Sequence, residues 1–231
     1  MKILGIDSSA KSASVAILDD GKIIGSFYIN TGLTHSQTLM PMIDSALKCS
    51  ATELKDIGLV AVNKGPGSFT GIRIGVAAAK GLCDPTGIKI CGTSTLQSMA
   101  YNLISQDCIA CAVMDARCSQ VYTALFDITD GKITRLTDDD AMSLDDLAAS
   151  LKNYNKNKIL VGDGADLCYN RFGADDESIG IACESEKYQN AVGVCLCAAE
   201  MHDAYISSDE LVPEYLRLPQ AERELKNKLK G

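Results

Sequence analysis

Three short apolar runs open the chain. Residues 3–7 end in the carboxylate of Asp7, residues 12–18 form a second run, Asp20-Gly21 supplies a turn, and residues 22–28 form a third. Runs of this length split by Asp-Gly predict a three-strand meander, because both turn positions tolerate positive φ. The pattern returns in the second half. Residues 109–115 end in Asp115, residues 120–127 follow, Asp130-Gly131 turns the chain, and residues 132–136 complete the set. Even the turn text repeats, as Asp-Gly-Lys-Ile from Asp20 and again from Asp130. Beyond each meander an apolar run leads into a glycine turn: residues 59–62 into Gly65-Pro66-Gly67, and residues 159–161 into Gly162-Asp163-Gly164. The pattern predicts an α/β protein of two duplicated lobes around a cleft. Residues 1–105 form the N-terminal lobe, residues 106–220 the C-terminal lobe, and residues 221–231 a charged tail.

Helical spacing fills the gaps between strands. Thr34 and Gln37 suit a capping box for a helix reaching about Cys49, with Leu39, Ile43, Ala46 and Leu47 on one face and a kink at Pro41. A second helix follows the first glycine turn, over residues 70–82, with Ser68 or Thr70 as its cap. Within it Gly71, Gly75 and Ala79 recur every four residues and leave one face nearly bare. A bare face lets another helix come close, and a partner protein is the expected neighbour. Gly75→Leu should then disturb partner binding more than folding. Residues 144–151 predict a short surface helix. Residues 189–201 are apolar nearly all round, which places that helix inside the protein, between the lobes.

Charge narrows the partners. Thirty acidic residues against 22 basic ones give a net charge of -8, a poor basis for binding nucleic acid alone and a better one for meeting a basic protein. Tryptophan is absent, so a base-stacking platform is not expected. No apolar run has the length of a membrane span, and the first strand with its carboxylate is unlike a signal peptide. Ten cysteines then point to a reducing, cytoplasmic setting with buried free thiols. Cys108 and Cys111 form a C-x-x-C within an extended run, where residues three apart face opposite ways, so no zinc site is expected there.

Two carboxylates and two glycine turns would suit phosphoryl transfer. Asp7 and Asp115 could hold Mg²⁺ through water, while Gly65, Gly67, Gly162 and Gly164 could approach phosphates. The flanking residues argue against it. Ser8-Ser9-Ala10-Lys11 and Ala116-Arg117-Cys118-Ser119 lack a glycine wrap, and no Gly-Lys-Ser/Thr closes the first turn. Turn hydrogen bonding is the simpler role for both carboxylates, and the six positions read as a remnant nucleotide site. His35 has Leu39, not a second imidazole, four residues on, so no metal is expected. Ser68 lies in Gly-Ser-Phe, which is no nucleophile elbow. No residue is expected to be catalytic.

Five blocks stand out together: Ile6-Asp7-Ser8-Ser9, His35-Ser36 with Leu39 and Pro41, Gly65 through Gly75, Asp115-Ala116-Arg117 with Val121-Tyr122, and Pro213 with Tyr215-Leu216-Arg217. In these blocks the chain resembles the TsaB (formerly YeaZ) family of bacterial tRNA threonylcarbamoyladenosine biosynthesis proteins. The resemblance implies the actin-like ATPase (ribonuclease H-like) fold in both lobes. It implies a non-catalytic subunit that works with TsaD and TsaE to transfer a threonylcarbamoyl group to the adenosine beside the anticodon of tRNAs reading codons that begin with A. It also implies that ATP or ADP and metal belong to those partners, and that tRNA is met only through the complex. The first two helices would pack against TsaD, or against a second copy of the chain, through His35, Leu39, Ile43, Gly71, Ile72, Gly75 and Ala79. A stand-alone ATPase or phosphotransferase is the alternative; ATP turnover by the chain alone would mark it.

Overall fold

The computed structural model describes residues 1–217, so the tail expected at 221–231 lies outside the described residues. Two sheets carry the duplication. The first has the order β3-β2-β1-β4-β5, from β1 (Lys2–Asp7), β2 (Ala13–Asp19), β3 (Lys22–Ile29), β4 (Ile57–Gly65) and β5 (Lys89–Ser94). The second repeats it as β8-β7-β6-β10-β11, from β6 (Cys108–Arg117), β7 (Gln120–Thr129), β8 (Lys132–Arg135), β10 (Lys158–Val161) and β11 (Ile179–Ile181). An added strand β9 (Asp140–Ser143) pairs with β7. In both sheets the meander is antiparallel, and the later strands add in parallel to its first strand. The glycine turns follow β4 and β10, which hold the same place in the two sheets.

Helices cover both faces of each sheet. Helices α1 (His35–Cys49) and α2 (Phe69–Cys83) lie on one face of the first sheet, burying Leu39, Ile43, Ile72 and Val76 against Leu4, Ile6, Val15, Val60 and Val62. Helix α1 runs unbroken through Pro41, and Thr34 stands at its N-cap without the expected side-chain cap bond. Ser68 does cap α2, accepting from the amide of Gly71 at 3.2 Å. In the second half, α4 (Leu144–Leu151) packs Leu144, Leu147 and Leu151 against Ile109, Cys111, Val113 and Leu125. Helix α5 (Ala165–Cys168) adds Ala165 and Cys168 to the same face.

The inner faces are covered by exchange. Helix α3 (Thr95–Ala100) follows β5 but packs Leu96 and Met99 on Ala110, Ala112, Met114 and Phe126 of the second sheet. Helix α7 (Ala191–Glu200) lies beyond β11 and the short α6 (Glu184–Lys187). It packs Ala191, Val194, Cys195 and Ala198 on Ile3, Ala16, Leu59 and Ala61 of the first sheet. A boundary at 105/106 therefore separates the sheets but not the packed units. Helix α7, inside the expected C-terminal lobe of 106–220, packs on the first sheet, as do Ile206 and Leu211 after it.

The cysteines follow the packing. Seven are buried, while Cys49, Cys118 and Cys183 are exposed. Cys108 and Cys111 face different cores, as their spacing predicts. Burial pushes the Cys108 thiol up to about 11, so it stays protonated at neutral pH.

The bare stripe of α2 turns inward, which corrects the expectation of a partner-facing stripe. Gly71 and Gly75 lie under the turn after β1: a Cβ on Gly71 would collide with the carbonyl of Ser8, and one on Gly75 would sit 2.5 Å from Ser8 Oγ and 3.4 Å from Val62. Ala79 is fully buried in the same core. Gly75→Leu should therefore destabilise the fold itself, by about 1–3 kcal/mol or more, as forced overpacking does. Gly81, on the open side of α2, has nothing within 4 Å of an added Cβ, so Gly81→Ala should stabilise by up to about 1 kcal/mol through helix propensity. Urea unfolding of the two variants beside the parent chain checks both signs.

Candidate functional site: the cleft between the sheets

The ends of β1, β4, β6 and β10 converge on a cleft of about 650 Å³. Of the six positions read as a remnant nucleotide site, Gly67 and Asp115 line it, and Asp7, Gly65, Gly162 and Gly164 do not. The reason is local. Asp7 is wholly buried, and its Oδ1 accepts from Ser9 Oγ at 2.7 Å, Asn63 Nδ2 at 2.7 Å and the Ser9 amide at 3.3 Å. Asn63 in turn accepts from Thr93 Oγ1 at 2.7 Å. This network ties β1 to β4 and β5 through Oδ1, while Oδ2 of Asp7 is buried without a partner.

The glycine turns are occupied by the chain itself. Gly65 has φ +137°, and an added Cβ there would strike the carbonyl of Glu214. Gly67 is pressed on the carbonyl of Ser9, which also accepts the Ser68 amide at 2.7 Å. Gly162 faces the Val113 carbonyl, and its amide donates to the Lys187 carbonyl at 2.6 Å. The Gly164 amide donates to Val113 O at 3.2 Å. The amides of Ser68, Gly162 and Gly164, three donors that a phosphate could have used, are spent within the fold.

What faces the cleft is different. Asp115 keeps a side chain one-third exposed, accepts the Arg117 amide at 2.8 Å and lies 3.4 Å from the Arg117 guanidinium. Asp163 accepts from Gln189 Nε2 at 3.1 Å. Burial, reinforced by the nearby charge of Asp115, holds the Asp163 carboxyl above its usual range, against the opposing hydrogen bond from Gln189. Asp163 and Gln189 were missed from sequence. Asp163 stood out only as the middle of a glycine turn, and Gln189 only as the start of an apolar helix.

The expected partner-binding residues do not form a surface. Leu39, Ile43, Gly71, Ile72, Gly75 and Ala79 are buried in their own lobe. His35 is half-buried, its Nε2 lies 2.8 Å from the Ala10 carbonyl, and its Nδ1 is buried without a partner. The contact from Nε2 to Ala10 O pins the turn after β1 to α1. The outward side of α2 is instead made by Thr70, Arg73, Ala77 and Gly81.

A C-terminal strap completes the site's rim. The Glu214 amide donates to Lys64 O at 2.7 Å, and its carboxylate lies 3.0 Å from Lys64 Nζ. The Tyr215 ring sits 4.7 Å from that of Phe69, Arg73 stacks 3.8 Å over Phe69, and Arg73 Nε donates to the Tyr215 hydroxyl at 2.8 Å. Arg217 reaches Ala116 O at 3.3 Å, so the strap touches the second sheet as well.

Duplicated sheets of this order, clasped by exchanged helices around a cleft, define the actin-like ATPase class of folds. YeaZ from Pseudomonas aeruginosa shares it, with a TM-score of 0.79 at 22% identity, covering 93% of this chain and 99% of its own. A family model described as TsaD: tRNA N6-adenosine threonylcarbamoyltransferase matches residues 30–223. The tRNA threonylcarbamoyladenosine biosynthesis protein TsaB of Bacillus subtilis is 30% identical over 226 residues, 96% of either chain. The Escherichia coli protein of the same description is 38% identical over 126 residues, 54% of either chain. The chain belongs to this family of tRNA threonylcarbamoyladenosine biosynthesis proteins, and its full-length likeness is to TsaB.

Asp7 provides a test of the buried network. Desolvation raises its pKa above the usual 3.8, outweighing the bonds from Ser9 and Asn63 that oppose it. A carboxyl raised on folding stabilises most below its unfolded pKa, and that contribution is lost as pH rises through the folded value. The stability of the parent chain relative to Asp7→Asn should therefore fall as pH is raised from about 4. Paired chemical unfolding curves across that range measure the difference.

Proposed function

We propose that this chain is a non-catalytic subunit of the machinery that makes tRNA threonylcarbamoyladenosine, acting beside a TsaD-type transferase and a TsaE-type partner. One observation carries the non-catalytic reading: the carbonyls of Ser9 and Val113 accept the Ser68 and Gly164 amides of the glycine turns. Asp7, the first-lobe carboxylate that could have held Mg²⁺, is bonded inside the same network. A nucleoside triphosphate would have to break these bonds to be gripped. ATP or ADP and any metal then belong to the partners, and tRNA is reached through the complex. The bonded turns weigh against the stand-alone ATPase reading.

The exposed sides of α1 and α2 are the proposed docking face for the TsaD-type partner, or for a second copy of the chain. Met40, Arg73 and Ala77 are exposed there, while the buried stripe beneath holds the helices to their sheet. Ala77→Glu should leave the unfolding curve within about 0.5 kcal/mol of the parent, as surface changes do. It should weaken binding to TsaD at least about tenfold, which corresponds to about 1.4 kcal/mol. Calorimetric titration against purified TsaD measures the affinity, and unchanged binding would remove this face from the proposal.

The role itself is tested by reconstitution. Nucleoside mass spectrometry of tRNA should find the modified adenosine when TsaD, TsaE, ATP and the threonylcarbamoyl donor are combined with this chain. It should be lost when the chain is left out, and the chain alone should not turn over ATP. Modification at full rate without the chain, or ATP turnover by it alone, would overturn the proposal.

A further inference from the structure

The cleft has an uncommon arrangement of charge. Its buried wall holds acceptors: Asp163, mostly shielded from water, and Gln189, fully buried and lining the cleft with its Oε1 unpartnered. Asp115 adds a second carboxylate, one-third exposed. The cations are the exposed side chains of Lys11 and of Arg117, whose guanidinium lies 3.4 Å from Asp115. A buried amide oxygen without a donor is costly, and a ligand that donates to it would relieve that cost.

Phosphate is a poor fit to that wall. It would face two carboxylates, and the turn amides at Ser68, Gly162 and Gly164 already donate within the protein. A primary ammonium reverses each difficulty. It brings up to three N–H donors and a positive charge, and Gln189 Oε1, Asp163 and Asp115 are the acceptors it requires. A carboxylate on the same small molecule would then point outward, toward Lys11 and Arg117.

We infer that the cleft is a binding site for a small zwitterion, a free α-amino acid held with its ammonium group on Asp163, Asp115 and Gln189 and its carboxylate toward Lys11 and Arg117. Met114 and Phe69 on the lining would give its side chain apolar contact. The site is separate from the outer face of α1 and α2, and it does not depend on the subunit role proposed above.

The test is a panel of the twenty free amino acids against the purified full chain, read by ligand-observed NMR and confirmed by calorimetry. At least one should bind saturably. Its methyl ester, without the carboxylate, and its N-acetyl derivative, without the ammonium, should each bind at least tenfold more weakly. Lys11→Ala, an exposed position, and Asp163→Asn should each weaken the free amino acid at least tenfold. Should Asp163→Asn fail to fold, Lys11→Ala and the two derivatives decide the matter alone. No saturable binding across the panel, or binding indifferent to Lys11→Ala and to both derivatives, overturns the inference. Displacement of the bound amino acid by ATP at equal concentration would overturn it too, by returning the cleft to a nucleotide.

Discussion

The crossing of α3 and α7 between the two sheets is the constraint on which the rest of the molecule depends. Each sheet has an inner apolar face that its own half of the chain does not cover. Helix α3 leaves the first half to cover the second sheet, and α7 returns from the second half to cover the first. The two helices lie so close that a Cβ on Gly193 of α7 would strike the Ser98 carbonyl of α3. Neither half can bury its core alone, so folding of one sheet is tied to folding of the other. The same clasp brings the ends of β1, β4, β6 and β10 together, and the cleft exists because of it.

Around that cleft the chain uses the features of a phosphate site for its own cohesion. Glycines that could admit a ligand admit a carbonyl of the chain, at Ser9, Val113 and Glu214. The capping amide of α2 is likewise consumed by the Ser68 hydroxyl, and Oδ1 of Asp7 by Ser9 and Asn63. The strap through Glu214, Tyr215 and Arg217 adds a further layer, stacking on Phe69 and Arg73 and reaching the second sheet at Ala116. The result is a fold of the actin-like class whose glycine turns hold backbone to backbone.

The two carboxylates show how a repeated sequence can diverge in role. Asp7 stands at the last position of β1 and turns into the network with Asn63. Asp115 lies within a longer strand that continues to Arg117, and there it opens onto the cleft. Asp7 has Ser9 and Asn63 as partners in the core, while Asp115 bonds the exposed Arg117 beside it.

Much of the fold was legible in the chain because strand alternation and Asp-Gly turns are local properties. The two meanders, the helix at Leu144–Leu151 and the buried character of α7 all followed from residue spacing and polarity. The glycine turns and the pairing of Asp7 with Asp115 by position were also visible as a repeat. What spacing leaves open is direction. A stripe of Gly71, Gly75 and Ala79 fits a close neighbour on either side of α2, and only the packed structure placed Ser8 and Val62 there instead of another protein. Likewise a glycine turn is equally suited to a phosphate or to a carbonyl from far along the chain. Glu214 reaches Gly65, and Gln189 reaches Asp163, through contacts between residues distant in sequence. Local sequence determined which elements form; the crossing of α3 and α7, a contact between the two halves, decided which faces are buried and what remains open to a ligand.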